Sequence, residues 1–163
     1  MRYVDRLLAE FEHEVARTRE VLLLVPDELL DWKAREGMMT IGWNANHLAE
    51  IADWIAGSLK YDVWDIAPPG EEEYVPPRLT STREIVELFD SNVEQARAAF
   101  ATAKDETIDD PWTLARAGIP LFTMSRNSVL RNFGLSHMVH HRAILRVYLR
   151  LNGVEVPEAY VPG

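Results

Sequence analysis

Three of the five histidines in this chain have positions typical of ligands to a buried metal ion. His137 and His141 are one helical turn apart, and a spacing of four residues lets two imidazoles reach one ion from the same face of a helix. At about 100° per residue, both fall within one mostly apolar arc of the last predicted helix, together with Leu130, Phe133, Ile144, Tyr148 and Leu151. His47 lies on another predicted helix, in a stripe with Trp43, Ile51 and Trp54. Two helices therefore each direct histidine toward an apolar interior.

The three imidazoles indicate a site for one divalent ion. A neutral imidazole carries one donor and one acceptor, so burying three rings without partners costs free energy, whereas one shared ion satisfies all three. No fourth protein ligand is evident, which leaves positions for water or substrate and is typical of a reactive site. We expect one ion, with zinc or nickel favoured over iron, copper or manganese. Histidines that only fill the core are the alternative, because pairs spaced by four also arise by chance.

Aromatic and polar residues near these histidines are candidates for the rest of the site. Trp43 and Trp54 flank the histidine of the second helix and are predicted to wall a substrate pocket, with core packing as the alternative. Asn92 takes an apolar position of the third helix, which suits either a hydrogen bond in the core or a place in the pocket lining. Glu50 and Asp53 are predicted to orient a ligand imidazole from outside the metal site. A solvated helix face is the alternative for these two acids.

Two familiar metal-binding patterns are missing from the sequence. A zincin peptidase carries Glu directly after its first histidine, but Met138 occupies that place here. Di-iron bundles need Glu-x-x-His pairs, and the last helix has no Glu near its histidines. The chain also has no cysteine, so any thiol nucleophile has to come from another molecule.

Four amphipathic helices are predicted to position these residues. The first carries an apolar stripe from Val4 to Leu22 and ends before Pro26, because proline does not fit a helix interior. A short turn is expected within the connection that follows. Thr40 is the predicted N-cap of the second helix, which runs to about Lys60.

The third and fourth helices also have start and stop signals. Ser81 and Glu84 have the spacing of a capping box, and the third helix is expected to end near Ala103. Its predicted inward residues are Ile85, Phe89, Asn92, Ala96 and Ala99. The fourth helix is predicted to begin near Ser125 and to end at Asn152-Gly153, where glycine suits the position after a helix.

The connections decide the predicted topology. Tyr61 to Leu79 is rich in proline and glutamate and is predicted to be a long surface crossover between helices 2 and 3. Lys104 to Thr123 is interpreted as a polar, proline-interrupted connection, because no segment shows a convincing strand alternation. The sequence therefore predicts an all-α fold: a four-helix bundle that forms a single domain over residues 1–163.

Composition excludes some partners. The net charge of −9 gives an acidic surface that repels phosphate backbones, so no nucleic-acid partner is expected. The N-terminus lacks the apolar run of a signal peptide, and no apolar segment is long enough to span a bilayer. These features predict a cytoplasmic protein that does not interact with membranes.

The sequence resembles the DinB/YfiT-like superfamily of metal-binding four-helix bundles over nearly its whole length. The resemblance depends on residues 37–48 (GMMTIGWNANHL), 137–142 (HMVHHR) and 151–157 (LNGVEVP). It implies that His47, His137 and His141 bind a divalent ion, which are the residues that the helical wheel also selects. Many members have Gly-Gln where this chain has Ala143-Ile144, and many close with Tyr-Gly-Pro where it has Tyr160-Val161-Pro162. The resemblance therefore assigns no characterised subgroup.

The resemblance also implies a range of functions, among them thiol-dependent S-transferases, isomerases and hydrolases. The leading hypothesis is a divalent-metal-dependent enzyme in which the ion activates water or an external low-molecular-weight thiol toward a small-molecule substrate. The alternative is a non-catalytic stress or binding protein in which the ion is structural. A homodimer is expected only by analogy with the family.

Overall fold

The computed structural model of the protein describes residues 2–158. Four helices form most of the molecule. Their bounds are Tyr3–Leu22 for α1, Ile41–Lys60 for α2 and Thr82–Thr102 for α3. Helix α4 is continuous through an α-helical turn, Arg126–Val129, a π-helical segment, Leu130–Leu135, and a long α-helical part, Ser136–Leu151. The prediction of four helices is confirmed. Tyr160-Val161-Pro162, where many family members have Tyr-Gly-Pro, lies outside the described residues.

Side-chain caps fix where three of the helices begin. The hydroxyl of Thr40 accepts a hydrogen bond from the Trp43 N–H at 3.0 Å, and Ser81 and Ser125 cap α3 and α4 in the same way. Each cap satisfies one of the amides that the first helical turn leaves without a partner. A short 3₁₀ turn, Asp27–Leu29, lies in the connection between α1 and α2, as expected.

The core is built from the inward faces of all four helices. The predicted stripes of α1 and α3 are buried, including Phe11 and Phe89, which are 0% exposed. Other fully buried side chains are Leu7, Leu22, Ile41, Leu48, Ile51, Ile55, Ile85, Leu130, Met138 and Leu145. Among the described residues, no helix is both long enough and apolar enough to cross a bilayer.

The inward face of α4 differs from the predicted arc. Leu151, predicted to face inward, is 64% exposed, whereas Leu145 and Leu149 are buried. All three leucines belong to the regular α-helical part Ser136–Leu151, whose buried residues are Met138, His141, Leu145, Tyr148 and Leu149. The π-helical segment Leu130–Leu135 precedes this part. Within the same segment, a Cβ on Gly134 would lie 2.8 Å from Ile55, so glycine lets α4 approach α2 closely.

A three-stranded sheet lies beside the helices, and the prediction of an all-α fold is wrong in this respect. Its strands are Val63–Asp65 (β1), Pro111–Arg116 (β2) and Ile119–Ser125 (β3), with β1 parallel and β3 antiparallel to the central β2. A two-residue turn with positive φ at both Ala117 and Gly118 joins β2 to β3, which suits the twist of a hairpin. The two prolines of the sheet occupy places where proline is tolerated: Pro111 is the first residue of β2, and Pro120 lies in the edge strand β3.

Residues 61–81 connect α2 to α3 and supply β1. Near the end of this connection, the Leu79 backbone forms two hydrogen bonds with the Asn46 side chain of α2, at 2.9 and 3.0 Å. Near its start, the buried Arg126 guanidinium donates to the carbonyls of Ser58 and Tyr61 and pairs with Asp62. These contacts hold both ends of the connection against the helices.

The carboxylate of Asp65 ties the sheet together and makes stability pH-dependent. Its oxygens accept hydrogen bonds from the backbone N–H groups of Ala67, Gly118 and Ala117, which lower its pKa below the ordinary 3.8. A carboxylate with a depressed folded-state pKa stabilises the fold above its unfolded pKa and loses that effect as the pH falls through the folded value. Wild type should therefore lose its stability advantage over Asp65→Asn between about pH 5 and pH 2. Urea unfolding across this range checks the result, and a pH-independent difference would contradict it.

Gly57 on α2 lies directly beneath the indole of Trp64. A Cβ at this position would overlap the Trp64 ring. We expect Gly57→Ala to lower the free energy of unfolding by about 1–3 kcal/mol through overpacking. In a Trp64→Leu background the same change should cost much less, because alanine is the better helix former and the indole is gone. Urea unfolding of the four proteins measures this coupling, and equal costs in both backgrounds would show that the indole is not the cause.

Candidate metal centre

The imidazoles of His47, His137 and His141 meet between α2 and α4. The Nε2 atom of His137 lies 3.3 Å from Nε2 of His47 and 2.9 Å from Nε2 of His141. One ring nitrogen from each histidine lies within 4.8 Å of the others. The structure therefore brings together the three residues that the sequence predicted as metal ligands.

The far side of two of these rings is fixed by hydrogen bonds from Nδ1. His47 Nδ1 donates to the Glu50 carboxylate at 2.6 Å, and His141 Nδ1 donates to the Asn44 amide oxygen at 3.0 Å. The Asn44 amide is itself oriented, because its nitrogen donates to the Thr40 carbonyl at 2.8 Å. With the proton on Nδ1, the Nε2 atom of each ring presents a lone pair to the centre of the cluster.

Burial favours the neutral form of His137 and His141. Burial first, and then the neighbouring His47 and His137, lower the pKa of His141 to about 3. The pKa of His137 is also lowered, mainly by burial, and a backbone interaction with Phe133 partly offsets this change. Neutral imidazole is the form that binds a metal ion, so burial reduces the competition of protons for the nitrogens of His137 and His141.

The donor set fits a divalent ion. One shared cation can satisfy Nε2 atoms that face one another at 2.9 to 3.3 Å. Tetrahedral coordination at the usual zinc–nitrogen distance separates ligand nitrogens by about 3.3 Å. The two distances from His137 Nε2, 3.3 Å to His47 and 2.9 Å to His141, are close to this value. The outer hydrogen bonds to Glu50 and Asn44 are typical of ligand histidines. A divalent ion can therefore be held by these three residues.

Two indoles enclose the cluster. Trp43 stacks on the His47 ring with centroids 4.6 Å apart, and Trp54 contacts the same ring edge to face at 5.3 Å. Trp54 also lies 5.8 Å from the His137 ring. Both tryptophans line a cavity of about 460 Å³ that extends from His47 toward the sheet. Its remaining lining is mostly apolar and aromatic, including Trp64, Ile66, Tyr74, Pro76, Trp112, Leu114, Phe122 and Phe133.

The structure places two of the predicted site residues away from these contacts. Asn92 is not part of the cavity lining: it is buried between α3 and α2 and donates to the Ala49 carbonyl at 3.1 Å. Of the two roles predicted for Asn92, the structure shows the hydrogen bond in the core and not a place in the pocket lining. Of the two acids, Glu50 holds the His47 ring, whereas Asp53 is half-buried further along α2, and burial raises its pKa.

Sequence reasoning missed two polar residues that support the cluster. Asn44 precedes His47 by one helical turn, and its place on a buried helix face was a signal that could have identified it. Tyr74 donates its hydroxyl to Glu50 at 2.6 Å, so it completes a chain of hydrogen bonds to His47. It comes from the irregular connection, where no periodicity relates it to α2. Burial first, and then the Glu50 carboxylate, raise the pKa of the Tyr74 hydroxyl.

Comparison with known proteins gives the family. A family model described as the DinB superfamily matches residues 10–145. A crystal structure of a DinB-like protein from Bacillus cereus ATCC 10987 is similar, with a TM-score of 0.69, 23% identity and 94% and 95% of the two chains covered. The DinB-like protein YjoA from Bacillus subtilis is similar as well, with a TM-score of 0.69, 18% identity and coverage of 94% and 96%. A comparison with curated proteins found no match.

The chain belongs to the DinB superfamily. The structural neighbours share its fold, with TM-scores of 0.69. Because their identities are only 23% and 18%, they show the fold alone. The geometry of His47, His137 and His141 adds a three-histidine group that can hold a metal ion.

Proposed function

We propose that this protein is a divalent-metal-dependent enzyme that acts on a small molecule, either as a hydrolase or as an S-transferase that uses an external low-molecular-weight thiol. The observation that carries the proposal is the convergence of three Nε2 lone pairs beside a cavity. His47, His137 and His141 would hold the ion. No other described Asp, Glu, Cys or His joins this group of potential ligands, so the remaining positions suit water or substrate.

The protein's own residues prepare the site for this chemistry. When bound, the ion supplies Lewis acidity, which lowers the pKa of a water or thiol nucleophile. Glu50 and Asn44 fix the ring orientations, and Trp43 and Trp54 shield the cluster from bulk water. In hydrolysis, water adds to the electrophilic carbon, the bond to the leaving group breaks, and the leaving group takes up the proton that water loses. In S-transfer the thiol sulfur forms the new bond instead. In a substitution the leaving group departs with the thiol proton, and in an addition to a double bond the neighbouring substrate carbon takes up that proton.

A thiol substrate has to come from outside, because the chain has no cysteine. The apolar cavity that extends from His47 supports a site for the second substrate. In the alternative, non-catalytic function, the same three histidines would bind the ion, and the ion would only hold α2 and α4 together. Chemical chelation distinguishes the two, since a structural ion is lost together with the fold.

Assays of the zinc- and nickel-loaded protein test the proposed function. A panel of ester and amide hydrolysis and of thiol conjugation should show turnover that disappears on chelation and returns with the ion. The His137→Ala variant should be inactive, and His140→Ala, which changes the neighbouring exposed histidine, should keep activity. A protein that unfolds on chelation and turns over no substrate in either class would favour the structural role.

A further inference from the structure

The polar side chains deep in the cavity already have hydrogen-bond partners. Asn46 donates to a carbonyl of its own helix at 2.9 Å and to that of Leu79 at 3.0 Å, and its oxygen accepts from the Leu79 N–H at 2.9 Å. Both oxygens of the Glu50 carboxylate accept, one from His47 and the other from the Tyr74 hydroxyl. The side-chain acceptors of this inner wall are therefore in use.

Ion pairing takes up the charges at the sheet side of the cavity. Arg116 of β2 pairs with Glu73 of the connection, and both side chains are 53% exposed. The other polar atoms of the lining side chains are indole N–H groups, which can only donate. Trp112 Nε1 is buried away from solvent, so it does not count as a donor for a ligand. The lining side chains thus leave few acceptors free.

This shortage of free acceptors disfavours several classes of ligand. Sugars, nucleotides and peptides carry many donors, and each donor buried without an acceptor loses its bond to water without replacement. A cation is also disfavoured once a divalent ion is bound, because the ion's charge outweighs the hydrogen-bonded carboxylate of Glu50 nearby. Aromatic walls contributed by Trp54, Trp64 and Phe122 suit a flat, apolar body.

We propose that this cavity binds an uncharged aromatic compound whose polar groups are hydrogen-bond acceptors, such as the carbonyl oxygen of a ketone, aldehyde or ester. The inference rests on the proposed function, since it assigns the substrate class of the same metal centre. The acceptor oxygen meets the indole donors or the ion, and the aromatic body lies between the tryptophans. A volume of about 460 Å³ lies within the range of small-molecule sites.

Three probes that share one aromatic body test the inference on the zinc-loaded wild-type protein. They are 2-acetylnaphthalene, the alcohol 1-(2-naphthyl)ethanol and the cation 1-(2-naphthyl)ethylammonium, titrated by calorimetry and by quenching of tryptophan fluorescence. The ketone should bind about tenfold more tightly than the alcohol, which brings an unsatisfied donor, and more tightly still than the cation. Equal binding of all three, or preference for the cation, would overturn the proposed class.

A matched pair of variants places the ligand in the cavity. Leu114→Trp fills space in the lining of β2, whereas Leu121→Trp adds the same side chain to β3 at a residue that is 53% exposed and outside the lining. Ketone binding should weaken more than tenfold in the first variant and stay unchanged in the second. Equal binding in both variants would overturn the location.

Zinc binding, measured in the same samples, separates this inference from the proposed function. Zinc binding without selective ketone binding overturns the inference and leaves the metal centre intact. If zinc does not bind, the proposed function is overturned instead. The wild-type ranking of the three probes remains decisive even if Leu114→Trp does not fold.

Discussion

Replacing His141 with alanine is expected to abolish stoichiometric metal binding. Purified wild-type protein loaded with zinc should retain about one ion per chain after dialysis, as expected for a single three-histidine site, whereas His141→Ala should retain almost none. The affinity should fall by more than 100-fold, which exceeds the 10- to 100-fold cost of losing an outer partner of a ligand. Elemental analysis gives the stoichiometry, and competition with a chromophoric chelator gives the affinity.

His140 provides the matched control for this result. It is adjacent in sequence, its ring lies 4.9 Å from that of His141, and it is exposed. His140→Ala should bind zinc as wild type does. If His141→Ala retains a full equivalent of zinc, the ion does not bind at the cluster, and the proposed centre is wrong.

Replacing Glu50 with alanine is expected to weaken zinc binding by about 10- to 100-fold without removing a ligand. The carboxylate accepts a hydrogen bond from the Nδ1–H of His47 and so fixes the tautomer and the ring orientation. Without this hydrogen bond the His47 ring is free to rotate, and ordering it when zinc binds reduces the free energy of zinc binding. Competition titration measures the change, and circular dichroism checks that α2 still forms.

Asp53→Ala is the matched control on the same helix. Both residues are acids close to His47 in sequence, but the hydrogen bond to the ring comes from the Glu50 carboxylate. The control variant should bind zinc within about threefold of wild type, well below the cost of an outer partner. A similar loss in both variants would mean that general negative charge, rather than the specific hydrogen bond, determines the affinity.

Local signals in the sequence were sufficient for the helices. Thr40 and Ser81 both cap helices as predicted, because a short side-chain oxygen is the usual solution for free amides at a helix start. The inward residues of α1 and α3 followed the 3.6-residue period. In each case the physical cause acts within a few residues of the chain, so it is visible in the sequence.

The sheet and the π-helical segment were not predictable in this way. Ala117-Gly118 forms the hairpin turn but lacks the Asn-Gly or Asp-Gly pair that marks such turns most clearly. Strand β1 pairs with β2 across nearly fifty intervening residues, so its formation depends on tertiary contacts. The π-helical segment changes the backbone hydrogen bonding but requires no particular residue types, so no sequence pattern marks it.

The same distinction applies to the site. The histidines were identifiable, since each lies on an apolar helix face where an imidazole needs a partner. A helical wheel shows that Asn92 points inward but not what it meets, and the structure shows the Ala49 carbonyl. Tyr74 was invisible, because an irregular connection brings it to Glu50.

The Tyr74 hydroxyl has a thermodynamic consequence for the whole connection between α2 and α3. One Glu50 oxygen holds the His47 ring while the other holds Tyr74, so the order of residues 61–81 and the readiness of the imidazole are coupled through a single carboxylate. Coupling of this kind is reciprocal: whatever free energy an ordered connection adds to ion affinity, the ion returns as protection of the connection. A divalent ion bound by the three histidines would therefore protect residues 61–81 from local unfolding, and loss of the hydrogen bond between Tyr74 and Glu50 would weaken its binding.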